Sequence, residues 1–157
     1  MDEYNKYDFF WGGPFSNWYP SIFIVDGREY NCGEQFMMYW KAMTFDDKET
    51  AKKIMALSNP RDQKALGRKV KNYNDNVWAK VRFAIVKRGL KEKFLQNPEL
   101  KKYLLDRKDK IIVEASPYDR IWGIGYGVTD PNILKEKDKW GENLLGKMLM
   151  EIAKELA

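Results

Sequence analysis

Four groups of residues in this chain of 157 could do chemistry, and none contains a histidine, because the chain has none. Ser–His and Cys–His nucleophile pairs are thereby excluded, and zinc sites lose their commonest ligand. Carboxylates, lysines, hydroxyls, amides and the backbone remain. Glu34 comes first, in Tyr30-Asn31-Cys32-Gly33-Glu34-Gln35. An acid at a helix start is favoured by the helix dipole, which by itself accounts for a glutamate there. Gly33, however, permits close approach of a ligand. Lys41 follows seven residues on, two turns and about 10 Å along the same helix face. That separation suits two groups reaching one ligand better than a direct ion pair.

The second group is Ser116-Pro117-Tyr118-Asp119-Arg120-Ile121-Trp122-Gly123-Ile124-Gly125. An acid and an indole follow a proline turn, and two glycines suggest backbone packed close to something. Asp119 is equally explained as a turn-former, and Trp122 as core. In the third group Trp78 and Arg82 stand one helical turn apart, which also fits a core indole with an arginine stem across it. Arg61, Lys64 and Arg68 form the fourth. They share one helix face that could meet a phosphate or simply be solvated.

The elements that must position these residues follow from the hydrophobic pattern. Tyr7–Trp11 reads as a strand, and Ser21–Val25 with Arg28–Asn31 reads as a hairpin around Asp26-Gly27. From Gly33 to Phe45 the apolar spacing turns helical. Asp46–Leu57 and Asp62–Val70 predict two further helices, with Asn59 capping and Pro60 in the first turn between them. A long helix runs from Asp75/Asn76 to Phe94, with Val77, Val81, Ile85 and Leu90 as its expected buried stripe. Pro98–Arg107 predicts a short helix, Ile111–Ala115 a buried strand, and Glu142–Leu156 a closing amphipathic helix. Ser116–Lys139, with its glycines and prolines, reads as an irregular functional loop. The sum is an α+β fold, a single helix-rich domain over residues 1–157 with a small β-sheet.

Composition bounds the setting. Aromatic residues reach 15% of the chain, enough for a core and for flat platforms facing planar ligands. The net charge of +5 suits phosphate-bearing partners, although scattered Lys, Glu and Asp also describe a solvated surface. A single cysteine, Cys32, excludes an internal disulfide framework and points to a reducing cytoplasm. The start MDEYNKYDFF lacks the order of a signal peptide, and no apolar run is long enough to span a membrane. No ligand cluster asks for a metal or cofactor, and no stable protein partner is expected.

Taken in order, these groups resemble the NADAR family, which includes N-glycosidases of riboflavin intermediates. The resemblance runs from Phe10 to Met150. It rests on Phe15-Ser16-Asn17-Trp18-Tyr19-Pro20, Tyr30-Asn31-Cys32-Gly33-Glu34-Gln35 with Met38 and Lys41-Ala42, Asn59-Pro60-Arg61, Leu66-Gly67-Arg68, and Trp78 with Arg82. The Ser116–Gly125 stretch and Trp140-Gly141-Glu142-Asn143-Leu144-Leu145-Gly146 complete it. Tyr126–Lys139 departs from the pattern.

The resemblance implies hydrolysis of an N-glycosidic bond on a ribose phosphate. The substrate would be a ribosylamino-pyrimidine phosphate or, in other branches, ADP-ribose on guanine. It places Glu34, Trp78, Asp119 and Trp122 in the pocket. Glu34 or Asp119 would supply the catalytic carboxylate. Lys41 would form an imine or bind phosphate, Arg61 or Arg68 would hold the phosphate, and Phe15 and Asn17 would line the site. A non-catalytic module binding NAD or ADP-ribose is the alternative of a different class.

Overall fold

The computed structural model describes residues 3–157; Met1 and Asp2 of the N-terminal reading lie outside the described residues. Two compact units emerge. One is Asn17–Pro98, and the other combines the chain up to Ser16 with Glu99–Ala157. No helix among the described residues is long and apolar enough to cross a membrane.

The Asn17–Pro98 unit opens with a hairpin of β2 (Phe23–Val25) and β3 (Arg28–Tyr30), antiparallel with Phe23 opposite Tyr30. Asp26 and Gly27 both take positive φ, 52° and 78°, as a tight two-residue turn demands. A two-stranded sheet has free edges, and here the Gln96 amide covers one. Its Oε1 accepts from the Ile24 N–H at 2.7 Å while its Nε2 donates to the Ile24 carbonyl at 2.8 Å.

Helix α1 (Gly33–Thr44) is central, buried from Gly33 through Tyr39. Packed on it are α2 (Lys48–Met55), α3 (Pro60–Gly67) and α4 (Asp75–Gln96). Each starts on a side-chain cap, Asp47 on the Thr50 N–H, Asn59 on Arg61 and Asn74 on Val77. These satisfy donors that have no partner inside the helix.

The buried face of α4 differs from the apolar stripe expected. Trp78, Arg82, Val86, Gly89, Leu90, Lys93 and Phe94 point inward, while Val77 is 44% exposed and Val81 and Ile85 are only half-buried. The inward face carries an arginine, a lysine and a glycine, so apolarity did not mark it.

In the other unit β1 (Tyr7–Phe10) pairs in parallel with β4 (Ile111–Glu114). Among the described residues the small β-structure is thus divided into two two-stranded sheets. Helix α5 (Pro98–Leu105) precedes β4, and α6 (Leu144–Leu156) packs on it. Asn143 covers the edge of β4, its Nδ2 donating to the Ile112 carbonyl and its Oδ1 accepting from the Glu114 N–H, each at 3.0 Å. Val113, Ala115, Ile124 and Ile133 form a buried cluster, flanked by Tyr7, Phe9 and Trp140. Residues 116–139 are irregular apart from one 3-10 turn at Lys137–Lys139, as the glycines and prolines predicted.

Close packing of α1 on α4 depends on Gly89, where a Cβ would lie 2.3 Å from a Phe36 ring carbon. In an open helix Gly→Ala gains about 1 kcal/mol. Here overpacking against a buried ring, costing about 1–3 kcal/mol, outweighs that gain. Gly89→Ala should lower the urea midpoint of unfolding, and a raised midpoint would show that Phe36 yields.

Candidate functional site

Glu34 sits in the first turn of α1, only 4% exposed. Its N–H donates to the Asn17 carbonyl at 2.8 Å, and its Oε1 accepts from the indole N–H of Trp18 at 2.8 Å. Gly33 is required beside it. A Cβ there would meet the Asn17 Oδ1 at 2.7 Å and a Leu90 methyl at 2.9 Å.

Gln35, the next residue, anchors the turn. Its Oε1 accepts from the Asn31 N–H, and its Nε2 donates to the Ile54 and Leu57 carbonyls at the end of α2. Gln63 adds bonds to the Asn31 side chain and to Leu57. The Cys32 thiol donates to the Gln63 Oε1. Burial pushes that thiol up to about 11, so at neutral pH it is protonated and is neither a nucleophile nor a metal ligand.

Lys41 is half-buried, its ammonium 4.5 Å above the Tyr73 ring. Burial draws its pKa below the ordinary lysine value. Glu34 opposes that, Arg68 reinforces it and Asp75 opposes it. Glu34, Lys41 and Arg68 therefore share one electrostatic neighbourhood. The Tyr73 hydroxyl donates to Asp75 at 2.7 Å. Burial and Asp75 push that phenol up to about 12, with Arg82 acting against them. Trp78 and Arg82 are both buried on α4, at 4% and 9% exposure. Arg61 is exposed on α3, and its backbone N–H is the one that Asn59 caps.

Asp119, Trp122 and Phe15 belong to the other unit. The Asp119 carboxylate accepts from the Ile121 and Trp122 N–H groups at 2.8 and 2.9 Å, a turn closed on its own backbone. The loop is tied to the start of α6: Asn143, Leu144 and Leu145 donate to the carbonyls of Gly123, Ile121 and Trp122. Gly123 lets the chain pass, since a Cβ would lie 2.8 Å from the Glu114 carbonyl. Trp122 remains half-buried. Phe15 is 1% exposed, with ring centroids of Phe10 and Tyr103 at 5.4 and 4.9 Å. Such a core position leaves almost no face for a ligand.

Two residues beside Glu34 and Lys41 escaped sequence reasoning. Trp18 lay within a motif but without a role, and Tyr73 was not singled out at all. Among the described residues no group of three or more Cys, Asp or Glu side chains could hold a metal ion.

The chain matches the model of the NADAR domain over residues 8–157. It is 45% identical to an N-glycosidase of Acanthamoeba polyphaga mimivirus, covering 98% of each chain. It is 29% identical to a riboflavin biosynthesis protein of Vibrio vulnificus, over 92% of this chain and 35% of that one. The NMR structure of the E. coli protein YbiA superposes with a TM-score of 0.76 at 27% identity, over 95% of this chain and 83% of that one. Among the described residues six helices with small sheets make an α+β fold shared with the YbiA structure, and relatives are named N-glycosidases, so the chain belongs to the NADAR family and is a hydrolase acting on N-glycosyl bonds.

Proposed function

We propose that this hydrolase cleaves the bond joining a ribose phosphate to an aminopyrimidine of the kind formed early in riboflavin biosynthesis, releasing ribose 5-phosphate. The observation that carries the reading is the buried Glu34 carboxylate held by the Trp18 indole, in a chain without histidine. Likeness to a protein named for riboflavin biosynthesis favours the aminopyrimidine.

Cleavage of a ribose–nitrogen bond builds positive charge on the anomeric carbon. A fixed anion beside that carbon stabilises the transition state more than the ground state. Glu34 takes this role and polarises the attacking water. The water oxygen bonds to the anomeric carbon, the carbon–nitrogen bond breaks, and a water proton ends on the departing amine. Lys41 and Arg68 hold the phosphate, and Asn17 fixes the start of the glutamate helix. Asp119 closes the turn that carries Trp122, and Trp78 is buried on α4. Arg61 is the more distant cation. The lone buried thiol fits a reducing cytoplasm.

ADP-ribose on guanine is the second substrate class, and the +5 charge favours it through attraction to an anionic polymer. Mass spectrometry of the protein with a phosphoribosylamino-pyrimidine and, separately, with ADP-ribosylated guanosine separates the two. Ribose 5-phosphate from the first supports the metabolite reading, and cleavage of the second alone overturns it.

Glu34→Gln keeps an acceptor for Trp18 but removes the charge. Turnover should fall by about 100-fold or more while the melting temperature holds, and retained turnover would take the role away from Glu34. Lys41 has two possible parts with opposite pH behaviour. As an imine-forming nucleophile it needs the neutral amine, so kcat/KM should rise as pH climbs through its lowered pKa, and borohydride should trap an adduct. As a phosphate-binding cation it loses its charge over the same range, so KM should rise and no adduct should form.

A further inference from the structure

An open cavity of about 460 Å³ lies within the Asn17–Pro98 unit, a volume ordinary for a small-molecule site. Trp18, Ile22 and Pro60 give it apolar walls, and Asn31, Ser58 and Asn97 supply polar groups. Trp18 joins it to the chemistry. The indole is 42% exposed, yet its N–H is committed to the Glu34 carboxylate. Glu34 itself does not line the cavity.

We propose that this cavity is the subsite for the departing base, a planar heterocycle carrying amines and carbonyls on its edge, and that it stacks on Trp18. The inference rests on the N-glycosidase reading above. Because Oε1 of Glu34 accepts from Nε1 at 2.8 Å, the carboxylate stands at the pyrrole edge of the indole. A flat ring stacked on the indole face lies about 3.5 Å above it. If its glycosidic nitrogen sits over the pyrrole edge, the ribose descends past that edge. The anomeric carbon then comes within about 4 Å of the carboxylate oxygen, where the developing charge needs it.

The polar rim matches such a ring. The Asn31 and Asn97 amide N–H groups are spent on the Ser58 and Ile22 carbonyls, which fixes both side chains. The Asn97 side-chain carbonyl and the Ser58 hydroxyl make no hydrogen bond among the described residues. They leave one acceptor and one hydroxyl for the ring edge. Trp18 thus has two parts, a stacking wall for the base and a positioning residue for Glu34.

The test titrates free 5,6-diaminouracil into the full-length protein and follows the Trp18 indole N–H signal by NMR, assigned through Trp18→Phe. The base should shift that signal saturably. Ser58→Trp, at an exposed position whose side chain only fills the cavity, should weaken binding at least tenfold with the fold intact. Trp18→Phe keeps a ring and loses the N–H, so it should hold the Kd for the base within about threefold while kcat falls at least tenfold. An unmoved Trp18 signal, or an unchanged Kd in Ser58→Trp, overturns the subsite. If wild type hydrolyses the phosphoribosylamino-pyrimidine while either of these results holds, the subsite fails and the N-glycosidase reading stands. Without hydrolysis of either substrate class, the reading itself fails.

Discussion

A sheet of two strands leaves most of its backbone hydrogen-bonding groups without a neighbour, and short helices leave theirs open at both ends. The described residues form two such sheets and several helices of eight residues, so the architecture turns on how those groups are satisfied. Primary amides do much of it. Gln96 acts on Ile24 as an adjacent strand would, and Asn143 does the same between Ile112 and Glu114. Gln35 takes in the last carbonyls of α2. An amide matches a peptide group in donor, acceptor and geometry, and each such bond contributes about 1 kcal/mol net. Its larger value is that an alternative packing would bury unpaired groups.

The placement of Glu34 is a consequence. Gln35 ties the β3–α1 turn to α2, Gly33 allows that turn to press on Asn17 and Leu90, and the Asn17 carbonyl takes the Glu34 N–H. The carboxylate is then carried on a helix start whose dipole favours the anion and is bonded to an indole N–H. A buried carboxylate is costly unless it is bonded, and the Trp18 indole N–H supplies such a bond. Lys41, half-buried on the same helix, feels the charge of both Glu34 and Arg68.

Much of the frame was legible because it is written in local chemistry. Asp26-Gly27 announced a hairpin that its positive φ angles require, and Asn59-Pro60 announced the start of α3. The inward face of α4 was not legible. Arg82, Gly89 and Lys93 are buried for reasons that lie in what faces them, such as the Phe36 ring over Gly89. A periodicity of apolar residues cannot register a glycine that makes room for a ring. Trp18 was invisible for a related reason: its indole N–H serves a residue 16 positions away, and no spacing rule joins a loop to a helix start. Glu34 and Lys41 lie on one helix, as their spacing placed them.

The two most distinctive motifs teach a sharper lesson about role. Asp119 accepts from the N–H groups of its own turn on Oδ1, Gly123 lets the chain pass Glu114, and Asn143 covers the edge of β4. Gly146 has no room for a side chain, because a Cβ would lie 2.1 Å from the Ile112 carbonyl. The residues of these two stretches fold a difficult loop, whose demands few side chains can meet. The proposed chemistry asks for less sequence: one carboxylate, correctly held. The proposed role of Glu34 rests on its surroundings. An indole donor at 2.8 Å is not explained by capping or packing. Asp119, for all the distinctiveness of its motif, is explained by them.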